Sequence, residues 1–409
     1  MKQSIAGYTA WALLITATTA ALGAAPDLPR VFCLSPQALA QAKAQTAAKD
    51  EALAPALERL RQDARSALKA GPFSVVDNDL VPPGGDKHDY ISFGPYWWPD
   101  PAKKDGLPYI RRDGEVNPDS RSGGSDSPAL GKMTSAVDTL ALAYYLLGDE
   151  AYAKRATELL GAWFLDPATK MNSHLEYGQG IPGRVTGRAA GIIDTVGLTR
   201  VVDAVGLLQG SRSWQDQDQA GMVAWFTAYL EWLRTSKHGR QESAAKNNHG
   251  TWYDVQVAAF ALFTGQDQLA REVIEASRQK RIAGQIEPDG RQPAELARTK
   301  PFGYSTFNLQ ALFTLATLGQ TVNVDLWRYE TADGRGLRKA LDFLANYADA
   351  EKVWPHKDLK FDRTSLIPLL QQGAVAYGGT YQRALEKLPV KQVAESRGQL
   401  TYPSSVTEE

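Results

Sequence analysis

Apolar residues recur at helical spacing along most of the chain. From Ser35 to Ala70, Leu39, Leu53, Leu57, Leu60 and Leu68 punctuate an Ala- and Gln-rich background, with prolines only at Pro36 and Pro55. That spacing predicts one or two helices. The pattern then lapses for about 55 residues, Gly71 to Ser125, where eight prolines accompany the aromatic cluster Tyr90, Phe93, Tyr96, Trp97, Trp98 and Tyr109. A loop of this length inside a folded domain is usually functional or disordered, and this one is too aromatic for a solvated linker.

After Ser125 the helical pattern returns and nearly repeats. The run Ala141-Leu-Ala-Tyr-Tyr-Leu-Leu-Gly148 is echoed by Ala258-Ala-Phe-Ala-Leu-Phe-Thr-Gly265 and, more weakly, by Ala311-Leu-Phe-Thr-Leu-Ala-Thr-Leu-Gly319. Each reads as a helix stopped by glycine, which tolerates the left-handed conformation at a helix end. Further helical runs are expected at 188–208, 217–234, 337–347 and 364–376, and the lack of period-2 alternation leaves few strands. Helical hairpins spread over about 270 residues either stack as an open solenoid or close into a ring. The degenerate repeat and its unequal, chemically rich linkers favour closure. The expectation is therefore an all-α fold, an α/α barrel (toroid) carrying a long aromatic-rich N-terminal loop. It occupies residues 26–390 as one domain, with 391–409 as a polar tail.

Composition narrows the function. With 45 Lys and Arg against 46 Asp and Glu, the net charge of −1 gives no electrostatic footprint for general nucleic-acid binding. One cysteine, Cys33, excludes an intramolecular disulfide framework, and five scattered histidines contain no HExxH pair, so no metal site is expected. Residues 1–25 stand apart: Lys2, the apolar run Ile5 to Ala21 and the small residues of Ala20 to Ala25 read as a secretory signal. A periplasmic or secreted protein follows, with no further apolar run long enough to span a membrane.

Three polar segments, each at a helix entrance, hold the candidate chemistry. Glu242-Ser-Ala-Ala-Lys-Asn247-Asn248-His249-Gly250-Thr-Trp252-Tyr253-Asp254 places two amides, an imidazole and a carboxylate before a helix expected to start near Thr251. Side chains and free N–H groups there can converge on an anion, although one Asn would also serve simply as a cap. Gln285 to Asn308 is dense in charge, and Asn172 to Arg188 is polar and glycine-rich. Recurring positions suggest one shared mouth. Arg184, Arg188, Arg291, Arg298 and Lys300, with Arg111 and Arg112 of the long loop, would make it locally positive and suited to a polyanion. Trp and Tyr beside Arg and Asn are the mixture that stacks on and hydrogen-bonds sugar rings.

At these residues the sequence resembles the alginate lyase family of helical-barrel polysaccharide lyases. The resemblance rests on His88-Asp-Tyr90, Pro95-Tyr-Trp-Trp-Pro-Asp-Pro101, Leu175-Glu-Tyr-Gly-Gln-Gly-Ile-Pro182, Asn247-Asn-His-Gly-Thr-Trp-Tyr253 and the segment Arg298 to Tyr304. Polysaccharide lyase family thirty-eight looks nearest, with family five more distant. The resemblance implies an α/α barrel that cleaves alginate or glucuronan by β-elimination without a redox cofactor. It also implies catalytic positions at Tyr304, His249, Asn248 and Arg298, with Glu242 as a supporting or substrate-orienting acid. Asn247, Tyr96, Trp97, Trp98, His88, Tyr177, Gln179, Arg184, Arg188 and Trp252 look like substrate-binding positions. Removing the C5 proton of a uronate requires its carboxylate to be neutralised, and donors aimed at the developing enediolate are the expected largest contribution. Free tyrosine has a pKa of about 10, so a cation such as Arg298 would help Tyr304 act as a base. Two rivals predict other features: a glycoside hydrolase would pair carboxylates drawn from Glu242, Asp254, Glu287, Asp289 and Glu295, and a glycan-binding helical repeat would bind without turnover.

Overall fold

The helical periodicity closes into a ring. The computed structural model describes residues 28–403, so the secretory-signal reading of residues 1–25 lies outside the described residues. The first apolar segment forms α1 (Pro36–Ala47), capped by the Ser35 hydroxyl accepting from the Ala38 N–H, and α2 (Ala54–Ala67). The first repeat is α3 (Ser127–Leu147) and α4 (Glu150–Leu160), joined through Gly148 at φ 74°. Then follow α5 (Leu198–Leu208), α6 (Asp216–Thr235) and the short α7 (Lys237–Ser243). The second repeat is α8 (Asn248–Phe263) and α9 (Asp267–Ser277), again joined through a left-handed glycine, Gly265 at φ 76°. The one-turn α10 (Pro293–Leu296) precedes α11 (Pro301–Thr321), α12 (Leu337–Ala345), α13 (Ile367–Tyr377) and α14 (Gly379–Leu385). Two short helices, α15 (Val390–Ala394) and α16 (Gly398–Thr401), end the described chain.

Two kinds of helix build two layers. Helices α3, α8 and α11 are apolar on nearly every side and line the interior, as a helix surrounded by protein must be. Helices α4, α9 and α12 bury one stripe, such as Leu337, Ala340, Leu341 and Leu344, and expose the rest. Helix α3 packs on α5, α5 on α8, α8 on α11 and α11 on α13; α13 meets α16, which meets α1, which returns to α3. The rings of Phe226 and Phe260, 4.9 Å apart, join α6 to α8, and each such buried ring contributes about 1.5–3 kcal/mol.

Three sequence expectations change. The third repeat does not stop at Gly319: α11 runs on to Thr321, and the left-handed residue is Asn323 at φ 58°. Gly319 is needed because the Val324 carbonyl packs where a Cβ would stand. The expected run 188–208 divides into a 3-10 segment, Ala189–Thr195, and α5. The segment expected as a polar tail is folded over 391–403, because Leu400 is buried and Arg397 donates to the Asp138 carboxylate at 2.8 Å; α16 within it, packed between α13 and α1, completes the ring.

Few strands form, as the pattern implied. Among the described residues β1 (Ile91–Phe93) pairs in parallel with β4 (Tyr177–Gly180), and β2 (Trp97–Trp98) pairs antiparallel with β3 (Ile110–Arg111), Trp97 opposite Arg111. These pairings fasten the long loop across one mouth of the ring.

A buried carboxyl gives the fold a pH dependence. Asp203 on α5 accepts from the Phe32 and Cys33 N–H groups at 2.7 and 3.1 Å, while its second oxygen is buried without a partner. Burial raises its pKa to about 7 despite those bonds. The folded state therefore holds this proton after the unfolded chain has released it near pH 4, and stability falls as pH climbs from about 4 to about 7. The loss reaches at most about 4 kcal/mol from this group. Asp203→Asn keeps an acceptor for both N–H groups, so its thermal midpoint is expected to fall less than wild type between pH 5 and pH 8.

Candidate active site

The start of α8 is held by the chain around it. Asn247 caps the helix, its side chain accepting from the His249 N–H at 3.2 Å. The helix begins at Asn248 rather than near Thr251, so Asn248 and His249 lie in its first turn. Gly250 follows because a Cβ there would strike the Ala245 carbonyl and the Arg281 guanidinium. Arg281, itself buried, pairs with buried Asp254 through bonds of 2.7 and 3.2 Å, and donates to the carbonyls of Ser243 at 2.8 Å and Ala245 at 2.5 Å. That one side chain pins the turn between α7 and α8.

His249 is the one residue of α8 that is not buried. Its Nδ1–H donates to Glu242 Oε1 at 2.6 Å, and Glu242 is buried at the end of α7. A carboxylate on Nδ1 leaves Nε2 as the bare acceptor. Asn248 donates twice to buried Glu295, from its backbone N–H at 2.6 Å and from Nδ2 at 2.7 Å. Burial pushes the Glu295 carboxyl up, and the Asn248 bonds, Arg298 and His249 pull it back.

Tyr304 lies in the first turn of α11. Its hydroxyl is 2.7 Å from that of Tyr96 and accepts from Arg298 Nη2 at 2.8 Å, and the Arg298 guanidinium sits 3.9 Å from the centre of its ring. Arg298 in turn donates to Asp113 at 3.0 and 3.2 Å, and Arg111 donates to the same carboxylate at 2.6 Å. Burial would raise Asp113, but these cations outweigh it and hold the carboxyl down at about 2. Arg298 pulls the Tyr304 hydroxyl down as expected, but burial first, then the Tyr96 hydroxyl, push it up by more, so the net shift is upward. The resting phenol is therefore protonated at neutral pH.

These groups share a cleft of about 540 Å³. Tyr96, Trp97 and Arg111 come from the long loop, Gln179 and Arg188 from the 172–188 segment, Asn247, Asn248 and His249 from α8, and Arg298 and Tyr304 from the last segment. The three expected helix entrances thus meet at one mouth. Arg111, Arg121, Arg188 and Arg298 line the cleft alongside one carboxylate, Asp194, while Asp113 holds two of the four guanidiniums from outside the lining. Asp194 is itself engaged, accepting from Ser92 at 2.6 Å, Gln179 at 2.8 Å and Tyr90 at 3.1 Å, and burial pushes its carboxyl up. Gln179, strained at φ 50°, accepts from Arg188 Nη2 at 2.5 Å and so aims that guanidinium. A locally positive cleft follows, on a chain with almost no net charge.

Other expected binding residues stand off the cleft. Glu242 sits behind His249. Arg184 lies 5.3 Å from the Trp97 ring centre and supports it, while Arg112 does the same for Trp98 at 5.1 Å, whose indole N–H donates to the Glu115 carbonyl. The His88 ring nitrogen is bound to the Lys170 carbonyl at 2.6 Å, and Trp252 is buried against Phe307, which does line the cleft. Tyr177 of β4 pairs with Ile91 of β1 and is likewise not a lining residue. Sequence reasoning missed Asp113, Arg121, Asp194 and Phe307, which belong to no local motif. The hydrolase rival finds no carboxylate pair among its candidates: Glu242, Asp254 and Glu295 are buried and engaged, Asp289 pairs with Arg291 at 2.6 Å, and Glu287 is 3.9 Å from Arg335.

An all-α ring with a cationic, aromatic-flanked cleft at one mouth defines the class as an enzyme acting on acidic polysaccharide. A model of the alginate lyase family matches residues 74–354. The crystal structure of an alginate lyase from Bacteroides ovatus is 41% identical over 92% of this chain and 99% of its own, with a TM-score of 0.87. Alginate lyase A1-III from Sphingomonas species A1 matches at 15% identity and TM-score 0.50, over 86% of this chain and 96% of that one. A variant of A1-III complexed with tetrasaccharide gives 15% and 0.54, over 93% and 98%. At that identity the likeness is one of fold. A comparison with curated proteins gives no match. The chain belongs to the alginate lyase family and is a polysaccharide lyase.

Proposed function

We propose that the protein cleaves alginate by β-elimination, with mannuronate-type blocks as its main substrate. The observation that carries this reading is the shared cleft of Tyr304, flanked by the donor Arg298 and the Tyr96 hydroxyl, and the bare Nε2 of His249. The uronate carboxylate is met by Asn248 and the cleft cations, which lowers the barrier to losing the C5 proton. The C5–H electron pair becomes the C4–C5 double bond, the C4–O bond breaks, and the glycosidic oxygen takes a proton. In mannuronate the C5 hydrogen and C4 oxygen lie on one ring face, so Tyr304 serves at both ends. Its resting proton leaves to solvent as the substrate binds; the phenolate, stabilised by Arg298, then takes the C5 proton and passes it to the glycosidic oxygen as the acid.

In guluronate the two lie on opposite faces. The protonated resting state of Tyr304 and the acceptor Nε2 of His249 favour a second route there, with His249 as base and Tyr304 as acid. Ultraviolet absorbance of the unsaturated product, measured on polymannuronate, polyguluronate and glucuronan, tests the assignment. The largest rate is expected on polymannuronate. His249→Ala is expected to lose about 10²–10⁴-fold on polyguluronate and less on polymannuronate; equal losses on both would remove His249 as the epimer-specific base. A largest rate on glucuronan would instead make the protein a glucuronan lyase with the same chemistry. Action outside the cytoplasm is part of the proposal, supported by the signal-like pattern of residues 1–25.

A further inference from the structure

The catalytic groups straddle two segments: Asn248 and His249 open α8, while Arg298 and Tyr304 flank the start of α11. Glu295, on α10, bridges them. Its two oxygens accept from the backbone and side chain of Asn248, 47 positions away. Three residues further on, the Arg298 N–H donates to the Glu295 carbonyl at 3.1 Å. Behind this bridge, Asn308 of α11 donates to Gln285 at 2.9 Å and to Gln292 at 2.8 Å. Gln285 also accepts from Thr251 of α8 at 3.0 Å. All of these side chains are buried. Directional bonds therefore set the register of α8 against α10 and α11, where apolar contacts alone would let the helices slide.

The amide of Asn248 has two nearly isosteric ends, and only its partners decide which way it faces. A carboxylate accepts and never donates, so Glu295 selects the orientation with Nδ2 toward itself, leaving one Nδ2 hydrogen for a ligand. An Asn meeting a substrate carboxylate must offer N–H rather than carbonyl. We propose that Glu295 is a positioning residue, whose carboxylate fixes the orientation of the Asn248 amide and its register with Arg298. The proposal rests on the lyase reading. Glu295 does not repel the substrate strongly, because both its oxygens are occupied and Arg298 lies close enough to counter it.

Glu295→Gln tests this, because it keeps shape and one acceptor but sets an NH2 against Asn248 Nδ2, turning the amide over. With polymannuronate as substrate, kcat is expected to fall about 10- to 100-fold, the size of a lost charge-assisted bond. KM should rise less than kcat falls, and the thermal midpoint should stay near that of wild type. The reciprocal double variant Asn248→Asp with Glu295→Gln restores a complementary buried pair but turns an anion toward the substrate; it should melt like wild type and remain inactive. If Glu295→Gln does not fold, Glu295→Asp, which keeps the charge and shortens the reach, should still lose kcat. Wild-type kcat in Glu295→Gln, or activity regained in the double variant, would overturn the positioning role. Wild type failing to release unsaturated product would instead overturn the lyase reading.

Discussion

Tyr304→Phe is expected to lower turnover on polymannuronate by about 10²–10⁴-fold, the range for removing a positioned general acid or base. The substitution deletes one oxygen and leaves the ring under the Arg298 guanidinium, so the fold should be unchanged. Two bonds end on that oxygen, 2.7 Å from Tyr96 and 2.8 Å from Arg298. Arg298 remains tied to Asp113 when they are lost. Binding of the polymer rests mainly on the guanidiniums and aromatics of the cleft, so KM should change far less than kcat. Steady-state kinetics with far-ultraviolet circular dichroism checks both parts.

The second large effect falls on stability. Arg281→Met removes the cation from a buried pair and strands the Asp254 carboxylate, a change of about 3–5 kcal/mol. It also frees the Ser243 and Ala245 carbonyls, so the turn carrying Glu242 into Asn247 loses its pin. Equilibrium denaturation should show the lost stability, and activity should fall with it. Asp254→Leu added to Arg281→Met removes the stranded charge and should recover much of the stability. It should not recover the activity, because nothing then holds the turn. A double variant regaining both would make the pair purely structural.

Much of the fold was legible because it is written in local patterns. The repeat ending at Gly148 and Gly265 follows from helix periodicity and from glycine at left-handed positions. The same rule misread Gly319, where glycine serves close packing rather than a turn, a distinction that depends on Val324 lying against it. Residues 391–403 look polar in sequence, and their role in closing the ring depends on Leu400 and on the Arg397–Asp138 pair, partners that periodicity does not reveal.

The candidate site divides in the same way. Asn247-Asn248-His249 and Arg298 to Tyr304 are contiguous motifs at helix starts, and both reach the cleft. What sets their properties is distant in sequence: Asp113 lies 185 positions from Arg298, and Tyr96 lies 208 from Tyr304. The raised pKa of Tyr304 is the clearest case. A cation nearby suggested the opposite direction, and only the burial and the second tyrosine reverse it. Of the aromatic residues of the long loop, Tyr96 and Trp97 line the cleft and Trp98 does not; neighbours in β2, Trp97 and Trp98 fall on opposite faces.

The most direct test of the central claim measures two products in one digest of polymannuronate: new reducing ends, and unsaturated uronate by ultraviolet absorbance. Elimination at the C4–O bond makes one of each per cleavage. The account predicts that they rise together in a one-to-one ratio and vanish together in Tyr304→Phe. Reducing ends appearing without absorbance would mean that water breaks the bond, and would contradict it.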